Sequence, residues 1–289
     1  MDRMHDEFVA DNADICASSP EEADVIWLLA DFCWDQIPHE LLKQKKVVTN
    51  LHHVVPSKFD LDDFVKRDAI TDAYIVPNQH TRDLIDVWST SPIHEIPYWC
   101  NPRIWQKSPL TKQQLRIKHG LPVDCKIWGS FQRDTEGAGI PQGIFLPKLE
   151  KGADLIADLF CEWQSSRPGL CEPHVLLAGW RREYIIQRLK NSCVPFSYIE
   201  MPSQADLCEL YQCLDMYVIG SRYEGGPQAL LECGLLDVPV YLLRDVGMSR
   251  RTLRRYRGTN CNGVPFVEDL KAPGGYDAYR RLFEGMMTT

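Results

Sequence analysis

Short apolar runs recur along this chain with enough residues between them for one helix, and nothing else in the sequence restricts its fold so strongly. Consecutive parallel strands need a crossover of a dozen or more residues, and strands covered on both faces read as unbroken apolar runs. In the first part the runs are 23–29, 46–51, 73–76 and 95–98, with helical patterns at 38–44, 60–67 and 81–87. A second series places strands at 126–130, 174–178, 196–200, 216–219 and 238–243, with helices at 153–165, 182–190, 204–213 and 227–236. Between them, 100–109 carries Pro102 and Pro109 and reads as a linker. The expected fold class is α/β, with two Rossmann-like domains facing a cleft, at 1–105 and 106–289, the first of them short. A length of 289 residues accommodates two such domains.

Composition removes several classes of function. The formal net charge of −8 argues against general nucleic-acid binding, which shows as a basic domain. No run of about 18 apolar residues is present, and the first seven residues are too acidic and polar for a signal peptide, so a cytoplasmic location is expected. The 11 cysteines are odd in number and form no Cys-x-x-Cys pair, which points to reduced thiols packed as small hydrophobes rather than to disulfides or a metal centre. One stretch opposes the acidity: Arg250, Arg251, Arg254, Arg255 and Arg257. It reads as a solvated helix face or oligomer contact, or else as a docking site for an anionic acceptor or membrane surface.

Chemistry concentrates between the strand at 216–219 and the strand at 238–243. Ser221, Arg222, Tyr223, Glu224, Gly225, Gly226, Pro227, Gln228, Ala229, Leu230, Leu231 and Glu232 follow one another, ahead of Gly234 and a Val238-Pro239-Val240 run. Two glycines let a backbone turn sharply and approach a ligand closely, and Pro227 suits the first turn of a helix. The free amides of that turn and the helix dipole favour a phosphorylated ligand. Carboxylates are poor phosphate partners, so Glu224 and Glu232 fit the hydroxyls of a sugar or ribose. Elsewhere the regular pattern breaks at 134–149, where Gly137, Gly139, Pro141, Gly143 and Pro147 make an irregular loop at a strand's carboxyl end.

In that frame the motif closely resembles the donor site of retaining glycosyltransferases of the family 4 type, which have the GT-B fold. Other segments fall in the same order. The strand 126–130 runs into Arg133, and Glu150-Lys151-Gly152 opens a helix; by resemblance Arg133 and Lys151 grip the donor diphosphate. Two fixed cations and a helix N-terminus would stabilise the leaving nucleoside diphosphate without a metal. The resemblance further assigns Glu224, Gly225 and Gly226 to the sugar and distal phosphate and Glu232 to the ribose, and counts Pro227 among the donor-binding residues. It places Tyr198 and Met201 beside the nucleobase. In the first domain it matches His52, with His53 as the alternative, to a histidine near the transferred sugar. A histidine there donates to a sugar hydroxyl or to the departing oxygen.

The implied activity is metal-independent, retaining transfer of a hexose-type sugar from a nucleoside diphosphate sugar to a saccharide, lipid-linked or protein acceptor, with no cofactor. The rival readings are a nucleotide-sugar epimerase or hydrolase on the same fold, and a non-catalytic nucleotide-sugar-binding partner subunit. Three departures separate this chain from the family pattern. It has no glycine-rich first strand and loop, Arg133 and Lys151 are separated by the 134–149 insertion, and Gly226 stands where many relatives have an aromatic residue.

Overall fold

A computed structural model describes residues 2–137, 140–141, 143–166, 173–253 and 261–288. The chain divides into two compact units, one formed by Met1–Asn101, Glu224–Pro227 and Glu268–Thr289, the other by Pro102–Tyr223 and Gln228–Val267.

The first unit opens with helix α1 (Asp2–Asp11) and alternates β1 (Val25–Leu28), α2 (His39–Leu42), β2 (Lys46–Asn50), α3 (Leu61–Asp68), β3 (Ala73–Val76), α4 (Gln79–Ile85) and β4 (Ile93–Glu95). The four strands are parallel and lie in sequence order, with Trp27 opposite Val48, Val48 opposite Ala73 and Tyr74 opposite Ile93. In β3 all four residues are buried, as an inner parallel strand requires. Asp60 and Asn78 cap α3 and α4 by accepting from the backbone of Asp63 and Thr81, at 3.1 and 2.9 Å. The expected strand at 95–98 is displaced to 93–95. Pro97 has no N–H for a sheet ladder, and the buried Tyr98 hydrogen-bonds His52 instead.

The second unit carries α5 (Lys112–Lys118), β5 (Ile127–Ser130), α6 (Ala153–Ser166), β6 (His174–Ala178), α7 (Glu183–Asn191), β7 (Phe196–Ile199), α8 (Gln204–Gln212), β8 (Met216–Ile219), α9 (Gln228–Leu235), β9 (Val240–Leu242), α10 (Ser249–Thr252) and β10 (Cys261–Gly263). Its sheet has the order β10-β9-β8-β5-β6-β7, parallel except for β10. That is the doubly wound arrangement, and the strand order reverses between β5 and β8. Alternate residues feed two cores. Leu176, Ala178, Tyr217 and Ile219 enter one, while Val175, Leu177 and Val218 enter the other. In the 100–109 segment, Trp105 is buried in the first of these cores.

The chain's final helix, α11 (Asp277–Met287), belongs to the first unit. With α1 it builds an aromatic cluster. The Phe8 ring lies 5.2 Å from Trp27, 5.8 Å from Tyr276 and 5.7 Å from Phe283, and Trp99 lies 4.9 Å from Tyr276. Trp99 Nε1 donates to the buried Glu7 carboxylate at 2.8 Å. The sequence pattern does not identify α1, α5, α10, α11 or β10. The two terminal helices lie outside the regular alternation, so a βα reading passes over them.

Candidate functional site

In a doubly wound sheet, ligands bind beyond the carboxyl ends of the strands where the order reverses. Here that edge is the end of β5, continuing into Phe131, Gln132 and Arg133, and the end of β8, continuing into Gly220, Ser221 and Arg222. A third segment joins them, the turn Leu149–Lys151 with Gly152 behind it. Gln132 is the hinge of the three: its Nε2 donates to the Lys151 carbonyl at 2.6 Å, and its Oε1 accepts from Ser221 Oγ at 3.3 Å. The Glu150 carbonyl accepts the backbone N–H groups of Arg222 and Tyr223. Arg222 forms a two-pronged pair with Asp154, both bonds at 2.7 Å, and donates to the Leu149 carbonyl. Side-chain hydrogen bonding and charge from Arg222 hold the Asp154 carboxyl below its ordinary range. Gly152 has a φ of 64°, and a Cβ there would overlap the Gly220 carbonyl, so only glycine lets the two segments close.

Behind this edge lies a fully buried cation. Arg182 donates from Nε to Asp134 Oδ2 and from Nη1 to the Ser130 carbonyl, both at 2.5 Å, and from Nη1 to the Ala178 carbonyl at 3.0 Å. It ties the ends of β5 and β6 to the start of the 134–149 loop. Burial raises the Asp134 carboxyl, and the Arg182 charge opposes that rise. Within the loop, Glu136 N donates to Leu146 O and Lys148 N to Asp134 O, which closes its base.

The remaining second-unit candidates lie along the same edge. Glu232 is buried on α9 and accepts from Tyr211 Oη at 2.6 Å. Burial and the adjacent carboxylate hold the Tyr211 phenol well above its usual range, so it keeps the proton it donates. Tyr211 packs against Phe131 at 4.8 Å and Tyr217 at 5.2 Å, which connects Glu232 to the end of β5. Arg133 is half-buried, donates to the Thr135 carbonyl and lies 5.7 Å from the Trp180 ring centre. Tyr198 donates its hydroxyl to Gly179 O at 2.9 Å. Met201, two residues past β7, is 68 % exposed and has a φ of 44°.

The other candidates belong to the first unit. His52 follows β2; its Nε2 lies 2.7 Å from the Leu29 carbonyl and its Nδ1 2.5 Å from Tyr98 Oη. The carbonyl can only accept, so Nε2 carries the proton and Nδ1 accepts from the phenol. Burial lowers the imidazole to about 4, the Leu29 bond opposes this, and the neighbouring His53 lowers it further. Burial also holds the Tyr98 phenol far above its usual range. Gly225 lies against this pair: a Cβ there would overlap the His52 carbonyl and crowd Pro77 and the Tyr98 hydroxyl. Its carbonyl accepts from Asn78 Nδ2 at 2.5 Å. Glu224 is close enough to act on both His52 and Tyr98, and Gly226 and Pro227 are buried.

The structure thus groups Arg133, Lys151, Glu232, Tyr198 and Met201 along one edge of the second unit, and His52, Glu224 and Gly225 in the first. Arg250 is tied to Asp245, and α10 ends at Thr252, so no longer helical face is described around Arg250 and Arg251. Arg254, Arg255 and Arg257 lie outside the described residues. Gln132, Arg182, Arg222 and Asn78 escape sequence reasoning. Arg222 sits within the motif, but its partner is 68 positions away. Among the described residues, His119, Asp206 and Glu209 bring potential metal-ligand atoms within 4.8 Å of one another, yet Glu209 is already held by Lys118 at 2.6 Å and His119 at 2.7 Å.

No family model matches the chain, and no curated protein matches it in sequence. Solved structures do match in fold. Sucrose-phosphate synthase from Thermosynechococcus elongatus aligns with a TM-score of 0.59 at 14 % identity, over 86 % of this chain and 60 % of that one. HepE of Anabaena, in complex with UDP-glucose, aligns at 0.60 with 15 % identity, over 80 % and 62 %. The pneumococcal O-GlcNAc transferase GtfA, in complex with UDP and GlcNAc, aligns at 0.57 with 12 % identity, over 91 % and 48 %. The fold is GT-B. A GT-B chain of this length spans about six-tenths of the first two structures it matches. Among the described residues, no helix is long and apolar enough to cross a membrane.

Proposed function

We propose that the chain is a retaining glycosyltransferase of the family 4 type, acting in the cytoplasm. It moves a hexose-type sugar from a nucleoside diphosphate sugar to a saccharide, lipid-linked or protein acceptor. The observation that carries this reading is the junction at the β5 and β8 ends, where Gln132 binds the Arg133 segment to both the Lys151 turn and the motif loop. Arg133 and Lys151 would hold the diphosphate, and the charge developing on the leaving nucleoside diphosphate would be met by these two cations. No step in this scheme calls for a metal. Glu232, oriented by Tyr211, would take the ribose hydroxyls, with Tyr198 and Met201 on the base side. Glu224, Gly225, Gly226 and Pro227 would meet the sugar and distal phosphate. Both ring nitrogens of His52 are engaged, so it would reach the sugar by exchanging one of those bonds, with His53 as the alternative.

Retention without an enzymic nucleophile implies attack on the face the diphosphate leaves, with the leaving oxygen taking the acceptor's proton. The test has two stages. A thermal-shift screen against UDP, GDP, ADP and their common sugars should raise Tm for at least one of them, because a ligand that binds only the folded state stabilises it. Product analysis with that donor and a panel of acceptors should then give a glycoside of retained configuration. Epimer or free sugar from donor alone would overturn transfer in favour of epimerisation or hydrolysis. Binding without turnover on any acceptor would point to a partner subunit.

A further inference from the structure

Trp180 and Arg181 follow Gly179 at the carboxyl end of β6, beside the edge described above, and no motif includes them. Trp180 is 49 % exposed. The Arg181 guanidinium lies 4.0 Å from the indole centre, and the Arg133 guanidinium reaches the same ring at 5.7 Å. Neither cation has a carboxylate at ion-pair distance among the described residues. The nearby Asp134 is already paired to the buried Arg182. Two guanidinium groups are therefore held on one indole, with no carboxylate partner among the described residues, in a chain of net charge −8. Like charges placed together repel unless an anion joins them. A guanidinium stacked on an aromatic face keeps its in-plane N–H fork free, which is the geometry that grips phosphate oxygens two at a time.

The backbone favours the same assignment. Arg181 has a φ of 55°, a left-handed conformation that glycine would adopt at lower cost. Its carbonyl accepts the N–H groups of Asp134 and Thr135, at 3.2 and 3.1 Å. These bonds hold the β6 loop against the loop after β5. At Gly137 a Cβ would overlap the Arg181 guanidinium, so this glycine lies against it.

We propose that Arg181, held over Trp180 beside Arg133, is a further cation of an anion subsite that takes the diphosphate of the donor, an inference that rests on the donor reading above. Calorimetric titration of the full chain with UDP, GDP, ADP and inorganic pyrophosphate tests it. Arg181→Gly removes the guanidinium and relieves the left-handed backbone, so its Tm should equal or exceed that of the native chain. Its affinity for both the nucleoside diphosphate that binds and pyrophosphate should fall about tenfold or more. Arg181→Lys, which keeps the charge but not the stacked fork, should bind at an intermediate level. Unchanged nucleotide affinity in Arg181→Gly overturns the inference and leaves the donor reading standing. A loss for the nucleotide without a loss for pyrophosphate also overturns it, because the contact would then be to base or ribose. A native chain that binds none of the three nucleotides overturns both.

Discussion

Lys151 lies on a short turn whose position is set by neighbours, since its carbonyl is bound by Gln132 and the next residue is the left-handed Gly152. Lys151→Ala should weaken nucleoside diphosphate binding by about 1.5–3 kcal/mol, the worth of a hydrogen bond to a charged group. Unchanged affinity by calorimetry would remove Lys151 from the site. For Glu232→Gln the expected loss is confined to nucleotides bearing ribose hydroxyls, and an equal loss for pyrophosphate would contradict that role. His52 makes a prediction about pH. Its folded-state value of about 4 lies below the ordinary 6.5. Between those values the unfolded chain takes up a proton that the native chain refuses, so stability falls as pH falls through that window. The full effect approaches roughly 3 kcal/mol. Thermal denaturation from pH 7 to 4 should show a shallower decline for His52→Gln than for the native chain.

At the scale of elements, the ends of β5 and β6 depend on one buried side chain. Arg182 satisfies the Ser130 and Ala178 carbonyls and the Asp134 carboxylate together. Arg182→Ala would leave Asp134 buried and unpaired, and removing one partner of such a pair costs about 3–5 kcal/mol. The urea midpoint should drop accordingly with an unchanged slope. A loss under 1 kcal/mol would mean that the loop relaxes and admits water. The strands and helices around this junction follow from local pattern, and β3, β6 and β8 have the boundaries their apolar runs predict. Loop pairings do not follow that way. Arg182 belongs by sequence to an ordinary amphipathic helix start, and only its 0 % exposure distinguishes it from a solvated arginine.

The whole molecule is not two consecutive blocks of chain. The first unit takes its terminal helices from opposite ends of the sequence, and Phe8 packs against Trp27 of β1 and against Tyr276 and Phe283 near the chain's other end. Phe8→Ala should therefore cost about 3–5 kcal/mol, typical of emptying a buried aromatic site. Differential scanning calorimetry should show the transition of this unit shifted downward. An unshifted profile would mean that the C-terminal helix contributes nothing to the stability of the first unit.

Apolar runs and their spacing determined the α/β class, most of the strands and the helices between them, because burial on both faces of a parallel sheet leaves a local signature. The glycine and carboxylate motif likewise marked the loop after β8 as the place where chemistry concentrates. Only the tertiary structure decided that Gln132 joins three segments, that Arg182 is a buried anchor, that both nitrogens of His52 are occupied, and that Trp180 gathers two arginines. Each of these depends on partners distant in sequence, and a side chain's hydrogen-bonding surroundings are not encoded in its neighbours along the chain.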